Sequence, residues 1–297
     1  MGILSNCTLC PRHCGADRES GKAGFCGADN RIKIARCALH FGEEPCISGK
    51  NGSGTVFFSY CSMKCVYCQN YKISRLGIGK VISTKELADC FLNLAGEGAN
   101  NINLVTPTHY VPQIIEAIDI AKNKGLTLPI IYNSSGYENI KTVRMLKGTV
   151  DVYLPDMKYF DDRYAIRYSG TENYFEIASR AISEMFSQVG KCVFDKNGII
   201  KKGVIVRHLM LPHLLFDSKK IIDYLFGTYG DDIFLSIMSQ YTPTEALSGN
   251  FPELSGKVSK KYYNSLIEYA LKLGIKNAYI QEGDTAKESF IPHFFGE

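Results

Sequence analysis

The chain has 297 residues, of which 45% are hydrophobic and 22% charged, and its formal net charge is +4. This is the composition of an ordinary globular protein, and it excludes a disordered chain, a collagen and a bare coiled coil. The mild charge does not indicate a nucleic-acid partner, because such a surface needs a clustered basic face. Apolar stretches such as 102–105 and 128–132 are strand-length and too short to cross a membrane, so no membrane partner is expected.

Cysteine is distributed unevenly along the chain. Of the 11 cysteines, only Cys90 and Cys192 lie beyond residue 68. The first residues have neither the basic region nor the long apolar region of a signal peptide, so we expect a cytoplasmic protein whose thiols stay reduced. In that compartment, closely spaced cysteines indicate metal or cluster sites before disulfides.

Residues 1–54 are rich in cysteine and glycine and show no convincing periodicity. We predict a Cys-rich N-terminal extension that is held by metal or by packing on a larger domain, because this composition cannot build a core alone. Its thiols at Cys7, Cys10, Cys14 and Cys26 can close a tetrahedron around a metal. Three alternatives stay open at this point: zinc, an auxiliary iron–sulfur cluster, or thiols without metal.

From residue 55 to residue 297, short apolar runs alternate with amphipathic segments. Strands are predicted at 55–59, 102–105, 128–132, 150–154, 204–209 and 233–238, with a short last strand at 278–280. Helices are predicted from the capping box at 83–86, and at 111–124, 138–146, 174–186, 218–226 and 259–273. The alternation favours parallel pairing through right-handed crossovers. We therefore predict a partial TIM-like (β/α)6 barrel with a C-terminal cap; an open doubly wound sheet is the alternative.

Three further cysteines follow the first predicted strand, in the order Cys61-Ser-Met-Lys-Cys65-Val-Tyr-Cys68. Thiolates at this spacing can bind three irons of a four-iron cluster and leave the fourth iron without a protein ligand. The alternative is a zinc knuckle, but structural zinc needs four closed ligands, and Cys46 would have to reach across the strand. The spacing therefore favours a cluster with one open coordination position.

The C-x3-C-x2-C loop after the first strand of a β/α domain resembles the radical S-adenosylmethionine (SAM) superfamily. The resemblance implies a radical SAM barrel whose [4Fe–4S] cluster reductively cleaves SAM to a 5′-deoxyadenosyl radical, with electrons from a reductant such as flavodoxin or ferredoxin. Four stretches further resemble a subgroup related to pyruvate formate-lyase activating enzyme: CTLCPRHCGADR, GFCGA, EEPCISGKNGSGTVFFSYCSMKCVYCQNYKIS and INLVTPTHYVPQI. That subgroup implies an oxidoreductase that abstracts hydrogen from a glycine of a partner glycyl-radical enzyme.

The resemblance also implies cofactor contacts at the ends of the strands. It places Tyr67 near the adenine and Arg207 near the cofactor carboxylate, which a guanidinium fork matches. Where the superfamily often carries Gly-Gly-Glu, this chain has Thr106-Pro-Thr-His109, so the two threonines become the candidate ligands. The expected contacts are Tyr67, Thr106, Thr108, Asn133, Ser134, Ser135, Asp156, Lys158 and Arg207.

The substrate is less well defined than the cofactor. His109 and His208, at predicted strand ends, and Tyr137 are candidates for contacting a substrate or moving its protons. The substrate is either a glycine of a protein partner, or a small molecule or peptide that is modified or fragmented. The remaining alternative is a non-catalytic iron–sulfur or zinc protein.

Overall fold

The computed structural model describes residues 2–243, 249–281 and 294–295. Most of the segment after residue 281, which the sequence predicts as a cap, lies outside these residues. Strands and helices alternate through the described part of the chain. The strands are β1 (Ile32–His40), β2 (Ser53–Phe58), β3 (Lys80–Ile82), β4 (Ile102–Val105), β5 (Ile130–Ser134), β6 (Val152–Pro155), β7 (Val193–Phe194), β8 (Ile200–Leu209), β9 (Phe234–Met238) and β10 (Ala278–Ile280). The helices are α1 (Pro45–Ser48), α2 (Tyr71–Ser74), α3 (Thr84–Gly96), α4 (Val111–Asn123), α5 (Ile140–Met145), α6 (Asp162–Ser169), α7 (Tyr174–Val189), α8 (Leu215–Tyr229) and α9 (Lys260–Lys272).

One sheet organises the molecule. Strands β2, β4, β5, β6, β8, β9 and β10 are parallel and follow one another in that order across it. At one edge β1 pairs antiparallel with β2 and β3 pairs antiparallel with β1, while β7 pairs antiparallel with β8. The path does not close on itself within the described residues. The predicted partial β/α barrel is confirmed.

The central strands form because their sequences suit burial on both faces. In β4, β5 and β6 nearly every residue is buried, as expected for parallel strands that helices cover. Helix α3 begins at the predicted capping box, in which the Ser83 hydroxyl accepts the Glu86 N–H and the Glu86 carboxylate accepts the Ser83 N–H. Its buried face continues the apolar core.

The sequence interpretation omits several elements that surround the first parallel strand. It omits β1, β3, α1, α2 and α6, because these are short or, in β1, alternate weakly between buried and half-buried residues. The boundary predicted after residue 54 therefore falls inside β2, since β1 already belongs to the sheet. Residues 2–31 contain no helix or strand.

The core lies between the sheet and its helices, and it includes Phe58, Phe91, Leu104 and Tyr132, all of them fully buried. None of the described helices is both long enough and apolar enough to cross a membrane. The fold is therefore stabilised chiefly by apolar contacts between the two layers.

Replacing Leu104 with alanine should lower the free energy of unfolding by about 2–5 kcal/mol, because this side chain is fully buried in β4 and its loss leaves a cavity. The same change at Leu271, which is 61% exposed on α9, is the matched control and should cost less than about 1 kcal/mol. Urea unfolding followed by circular dichroism measures both. Equal costs would contradict the described position of Leu104.

Candidate active site

A cavity of about 390 Å³ opens where the parallel strands end. Residues that terminate β2, β4, β5, β6, β8 and β9, or that follow these strands directly, line it. Because the strands are parallel, their carboxyl ends meet at one edge of the sheet. Of the residues expected from the sequence, the cavity is lined by Cys61, Cys65, Tyr67, Cys68, Thr106, Asn133, Ser134, Ser135, Asp156, Lys158 and Arg207.

The three cysteines of the loop after β2 each accept a hydrogen bond at sulfur. The N–H of Met63 donates to Cys61 Sγ at 3.4 Å, and the Ser74 hydroxyl donates to Cys68 Sγ at 3.3 Å. The Ser169 hydroxyl donates to Cys65 Sγ at 3.0 Å. Burial raises the pKa of Cys61 and of Cys68, and the hydrogen bonds from Met63 and Ser74 oppose that rise because a donor aimed at sulfur stabilises a thiolate.

A buried chain of hydroxyls leads from Cys65 into the protein. Ser169 Oγ, which donates to Cys65, is 2.7 Å from the Tyr159 hydroxyl, and that hydroxyl is 2.7 Å from the hydroxyl of Tyr67. The N–H of Val66 also donates to the carbonyl of Tyr168. The end of α6 therefore fixes the cysteine loop from outside the cavity.

Three residues around the cavity have left-handed backbone conformations that non-glycine residues adopt rarely. These are Tyr60 (φ 76°), Lys64 (φ 52°) and Thr106 (φ 59°). Thr106 is the clearest outlier because its side chain is β-branched, and its N–H is held by the Asn133 carbonyl at 2.9 Å. Such conformations persist where the surrounding structure enforces them, and they concentrate at functional sites.

Asp156 and Lys158 follow β6 and form an ion pair in the cavity wall. Lys158 Nζ donates to Asp156 Oδ2 at 2.5 Å, and the backbone N–H of Lys158 donates to the hydroxyl oxygen of Tyr174 at 3.0 Å. Burial alone would lower the pKa of the Lys158 ammonium, but Asp156 and Cys65 together raise it above its ordinary value. Lys158 is therefore a fixed cation beside the cysteine loop.

Arg207 lines the cavity, but its contacts differ from the prediction. Its Nε donates to Glu44 Oε1 at 2.7 Å, and its Nη2 contacts carboxylate oxygens of both Glu43 and Glu44. Asn103 Nδ2 donates to Glu43 Oε1 at 2.9 Å. Arg207 therefore neutralises two buried glutamates, and its contact with the cofactor carboxylate stays a prediction.

The two glutamates are site residues that the sequence interpretation missed. They lie between β1 and α1, inside the segment predicted as a Cys-rich extension, and the signal available was a pair of adjacent acidic residues before Pro45. Both carboxylate side chains are nearly inaccessible, at 7% and 5% exposure. Their ion pairs with Arg207 connect this segment to β8.

Thr108 does not line the cavity, in contrast to its expected role. It is buried, and its hydroxyl donates to Glu138 Oε1 at 2.6 Å, while the Tyr132 hydroxyl donates to Glu138 Oε2 at 3.3 Å. Burial raises the pKa of the Glu138 carboxyl to about 7, against the opposing effect of these donors. The threonine thus satisfies a buried carboxyl group behind the cavity wall.

The three substrate candidates also do not line the cavity. His109 Nε2 donates to the Ser59 carbonyl at 2.8 Å. His208 Nδ1 donates to the Met157 carbonyl, and its Nε2 accepts the Ser218 hydroxyl, each at 2.8 Å. Burial lowers the pKa of His109 to about 3 and that of His208 to about 4, so both are neutral structural residues near pH 7.

Tyr137 is the third of these candidates. It is buried, stacks on Tyr174 with ring centroids 6.2 Å apart, and lies under the guanidinium of Arg12 at 5.6 Å. It therefore connects the N-terminal segment with α7. Tyr137 does not line the cavity.

The thiols of Cys7, Cys10, Cys14 and Cys26 lie outside the cavity. All but Cys14 are buried. Among the described residues, no three histidine, cysteine, aspartate or glutamate side chains converge on a single metal-ion position. Arg12 connects this segment to the cysteine loop, because its Nε donates to the Ser62 carbonyl at 3.1 Å and its Nη2 to the Ser169 carbonyl at 2.9 Å.

An open parallel β/α sheet with three cavity-lining cysteines at its carboxyl edge defines the class of fold, a partial β/α barrel. The sequence profile of the Radical SAM superfamily matches residues 55–194. The uncharacterized protein MJ0674 of Methanocaldococcus jannaschii is 30% identical over an alignment of 293 residues, which covers 93% of this chain and 78% of that protein. The chain belongs to the radical SAM superfamily, whose members use a [4Fe–4S] cluster and SAM.

Three further proteins are similar to this chain. A second protein of the same archaeon, "Putative glycyl-radical enzyme activating enzyme MJ1227", is 25% identical over 236 residues, covering 73% of this chain and 89% of that protein. HydG, a maturase of the [FeFe]-hydrogenase, has the same fold with a TM-score of 0.52 at 13% identity, over 77% of this chain and 52% of its own. The structure of Streptococcus suis SuiB bound to precursor peptide SuiA matches with a TM-score of 0.50 at 11% identity. The match covers 75% of this chain and 46% of the SuiB chain. The chain thus spans about half the length of these two solved structures.

The buried Glu138 should make the stability of the protein depend on pH. Its folded pKa of about 7 lies above the ordinary value of 4.5, so its contribution is fully present below pH 4.5 and is lost as the pH rises through 7. Glu138→Gln keeps a neutral side chain and should remove this loss. Between pH 5 and pH 8, the free energy of unfolding of the variant should therefore gain about 1–3 kcal/mol relative to the wild type.

Urea titrations at the two pH values measure this difference. Glu172→Gln, at an exposed glutamate, is the matched control and should follow the wild type. A constant difference between Glu138→Gln and the wild type at both pH values would show that Glu138 is ionised throughout.

Proposed function

We propose that this protein is a radical SAM enzyme in which Cys61, Cys65 and Cys68 ligate the [4Fe–4S] cluster. One observation carries the assignment: three thiols from a single loop line one cavity, and each sulfur accepts a hydrogen bond. The donor set fits the group, because soft thiolate ligands select iron–sulfur clusters, and three thiolates leave one iron open. When bound, the reduced cluster supplies the electron for cleavage of SAM into methionine and, with a hydrogen atom from substrate, 5′-deoxyadenosine.

The other cavity residues would bind and orient SAM. Asn133, Ser134 and Ser135 present short polar side chains to the cavity, which suit ribose hydroxyls. Tyr67 is buried with its ring at the cavity and its hydroxyl held by Tyr159, so it can pack against the adenine without moving. Lys158 supplies a fixed positive charge, and Asp156 keeps that ammonium in one position.

We further propose that the hydrogen comes from a glycine of a partner protein. The similarity to MJ1227, whose name describes a glycyl-radical enzyme activating enzyme, supports this substrate class. The unclosed sheet supports it too, because a polypeptide loop needs a wider entrance than a small molecule does. The reductant would be a small electron-transfer protein such as flavodoxin or ferredoxin.

Cleavage of SAM tests the activity directly. The protein reconstituted anaerobically with iron and sulfide, then given dithionite and SAM, should release 5′-deoxyadenosine and methionine. Cys65→Ala should reduce the product at least about 100-fold, because a cluster ligand is lost. Cys90→Ala, at a half-buried cysteine on α3 that does not line the cavity, is the matched control. Undiminished product from Cys65→Ala, or none from the iron-loaded wild type, would contradict the proposal.

The substrate class is tested by following deuterium. An extract of the source cells, grown with glycine deuterated at its α-carbon, is separated by size into a protein fraction and a small-molecule fraction. Each fraction is added to the reduced enzyme with SAM, and the 5′-deoxyadenosine is weighed by mass spectrometry. Deuterium transferred only from the protein fraction is the expected result. Transfer only from the small-molecule fraction would exclude a protein glycine as the substrate.

Ser169 should set the reduction potential of the cluster as a positioning residue. Its hydroxyl donates to Cys65 Sγ, and a hydrogen bond to a ligating sulfur stabilises the more negative, reduced state. Ser169→Ala should therefore shift the midpoint potential to more negative values, whereas Ser169→Thr should keep the wild-type value. A redox titration followed by electron paramagnetic resonance measures both. An unchanged potential in Ser169→Ala would mean that Cys65 is not a ligand or that the bond does not form.

A further inference from the structure

The thiols of Cys7, Cys10, Cys14 and Cys26 form a second group, which the cavity does not include. Gly24 lies between two of them: a side chain there would begin 3.4 Å from Cys14 Sγ and 3.5 Å from Cys26 Sγ. Arg18 Cδ lies 3.7 Å from the same position, and its Nη1 lies 3.6 Å from Cys7 Sγ. Cys10 is buried and follows Cys7 closely along the chain. Cys7, Cys14 and Cys26 thus lie around one small region, and Cys10 is next to Cys7 in the same segment.

A buried cation lies beside this group. Arg18 is completely buried; its Nη1 points at Cys7 Sγ at 3.6 Å, and its Nε and Nη2 donate to the Asp29 carbonyl. No acidic side chain of the described residues forms a salt bridge with it; the carboxylate of Asp29 is near enough for Arg18 to help lower its pKa, but that carboxylate is paired with Arg31. A buried guanidinium stays charged and is costly without a counter-charge. The fold therefore provides a positive charge where an anion is expected.

An unsatisfied hydroxyl lies at the same place. Tyr110 is completely buried, and its hydroxyl has no hydrogen-bond partner within the described part of the chain. Its ring lies 5.8 Å from the Arg18 guanidinium, and Cys26 and Arg18 are both close enough to affect its pKa. Buried hydroxyls without a partner are rare in folded proteins. The hydroxyl of Tyr110 is therefore free to donate a hydrogen bond to a bound group.

We propose that Cys7, Cys10, Cys14 and Cys26 bind a second iron–sulfur cluster, with Arg18 as its counter-charge and Tyr110 as a hydrogen-bond donor to it. A cluster with four thiolate ligands is an anion, which satisfies the buried guanidinium. Each thiolate binds a different iron, so the sulfurs have to surround a volume rather than meet at one point. A cluster also explains how residues 2–31 hold one conformation without a helix or strand.

Iron content separates this site from the one proposed in the cavity. Cys61→Ser/Cys65→Ser/Cys68→Ser removes the cavity ligands, and after anaerobic reconstitution the full chain should still hold about four irons and about four sulfides, against about eight irons in the wild type. Adding Cys7→Ser/Cys10→Ser should remove this iron. The matched control adds Cys37→Ser/Cys192→Ser to the triple variant instead, and it should not remove the iron. These two thiols contact backbone carbonyls elsewhere, Cys37 that of Cys90 and Cys192 that of Val204.

Three results would overturn the proposal while leaving the cavity assignment intact: no metal in the triple variant, zinc in place of iron, or iron that survives Cys7→Ser/Cys10→Ser. Circular dichroism establishes that each variant is folded. Since the triple variant cannot cleave SAM, its iron content does not depend on the proposed activity.

Arg18 gives a test that leaves every ligand in place. In the triple variant, Arg18→Met should shift the midpoint potential of the remaining cluster to more negative values, because the adjacent positive charge favours the reduced form. Arg18→Lys keeps the positive charge and should therefore have a midpoint potential close to that of the triple variant with Arg18 intact. Arg31→Met, at an exposed arginine paired with Asp29, is the control and should leave the potential unchanged. Equal potentials in Arg18→Met and the control would rule out Arg18 as the counter-charge.

Discussion

The hydrogen bonds to the sulfurs of Cys61, Cys65 and Cys68 are the interaction on which the active-site proposal depends. A loop of eight residues cannot hold three sulfurs in place alone, so it is fixed from its own backbone, from α2 through Ser74, and from α6 through Ser169. Only α6 lies far along the chain. The position of α6 in turn depends on β4, β5 and β6, which lie between the cysteine loop and α6 along the chain. The loop therefore needs the β/α sheet to hold its three sulfurs in place.

The buried positive charges of the cavity wall are neutralised by ion pairs with carboxylates. Lys158 is paired with Asp156, and Arg207 with Glu43 and Glu44, so each buried cation carries its own carboxylate. Burial without such partners would be costly, and the pairs also join segments distant in sequence: Arg207 ends β8, whereas the glutamates follow β1. Arg207, which the sequence predicts as a ligand contact, therefore also joins two segments of the fold.

Much of this could be predicted from the sequence because the relevant signals are local. The apolar runs of the parallel strands, the capping box at Ser83 and the spacing from Cys61 to Cys68 each lie within a short stretch, and the strand ends follow from the strands. What a residue contacts across the sheet is not local. Thr108 forms a hydrogen bond with Glu138, and His208 forms hydrogen bonds with Met157 and Ser218, because buried polar groups need a hydrogen-bond partner within the protein. No spacing rule contains that information.

The N-terminal segment shows how far order can be maintained by polar tethers. Its own apolar cluster consists of Leu4, Cys7 and Leu9, which is too small to fix some thirty residues. Helix α5 adds two contacts, in which Asn139 and Thr142 donate to the carbonyls of Thr8 and Leu9. Arg12 then binds carbonyls next to Cys61 and at Ser169, the residue that donates to Cys65. Because the same arginine lies two residues after Cys10, loss of order around the N-terminal thiols would release a tether of the loop from Cys61 to Cys68.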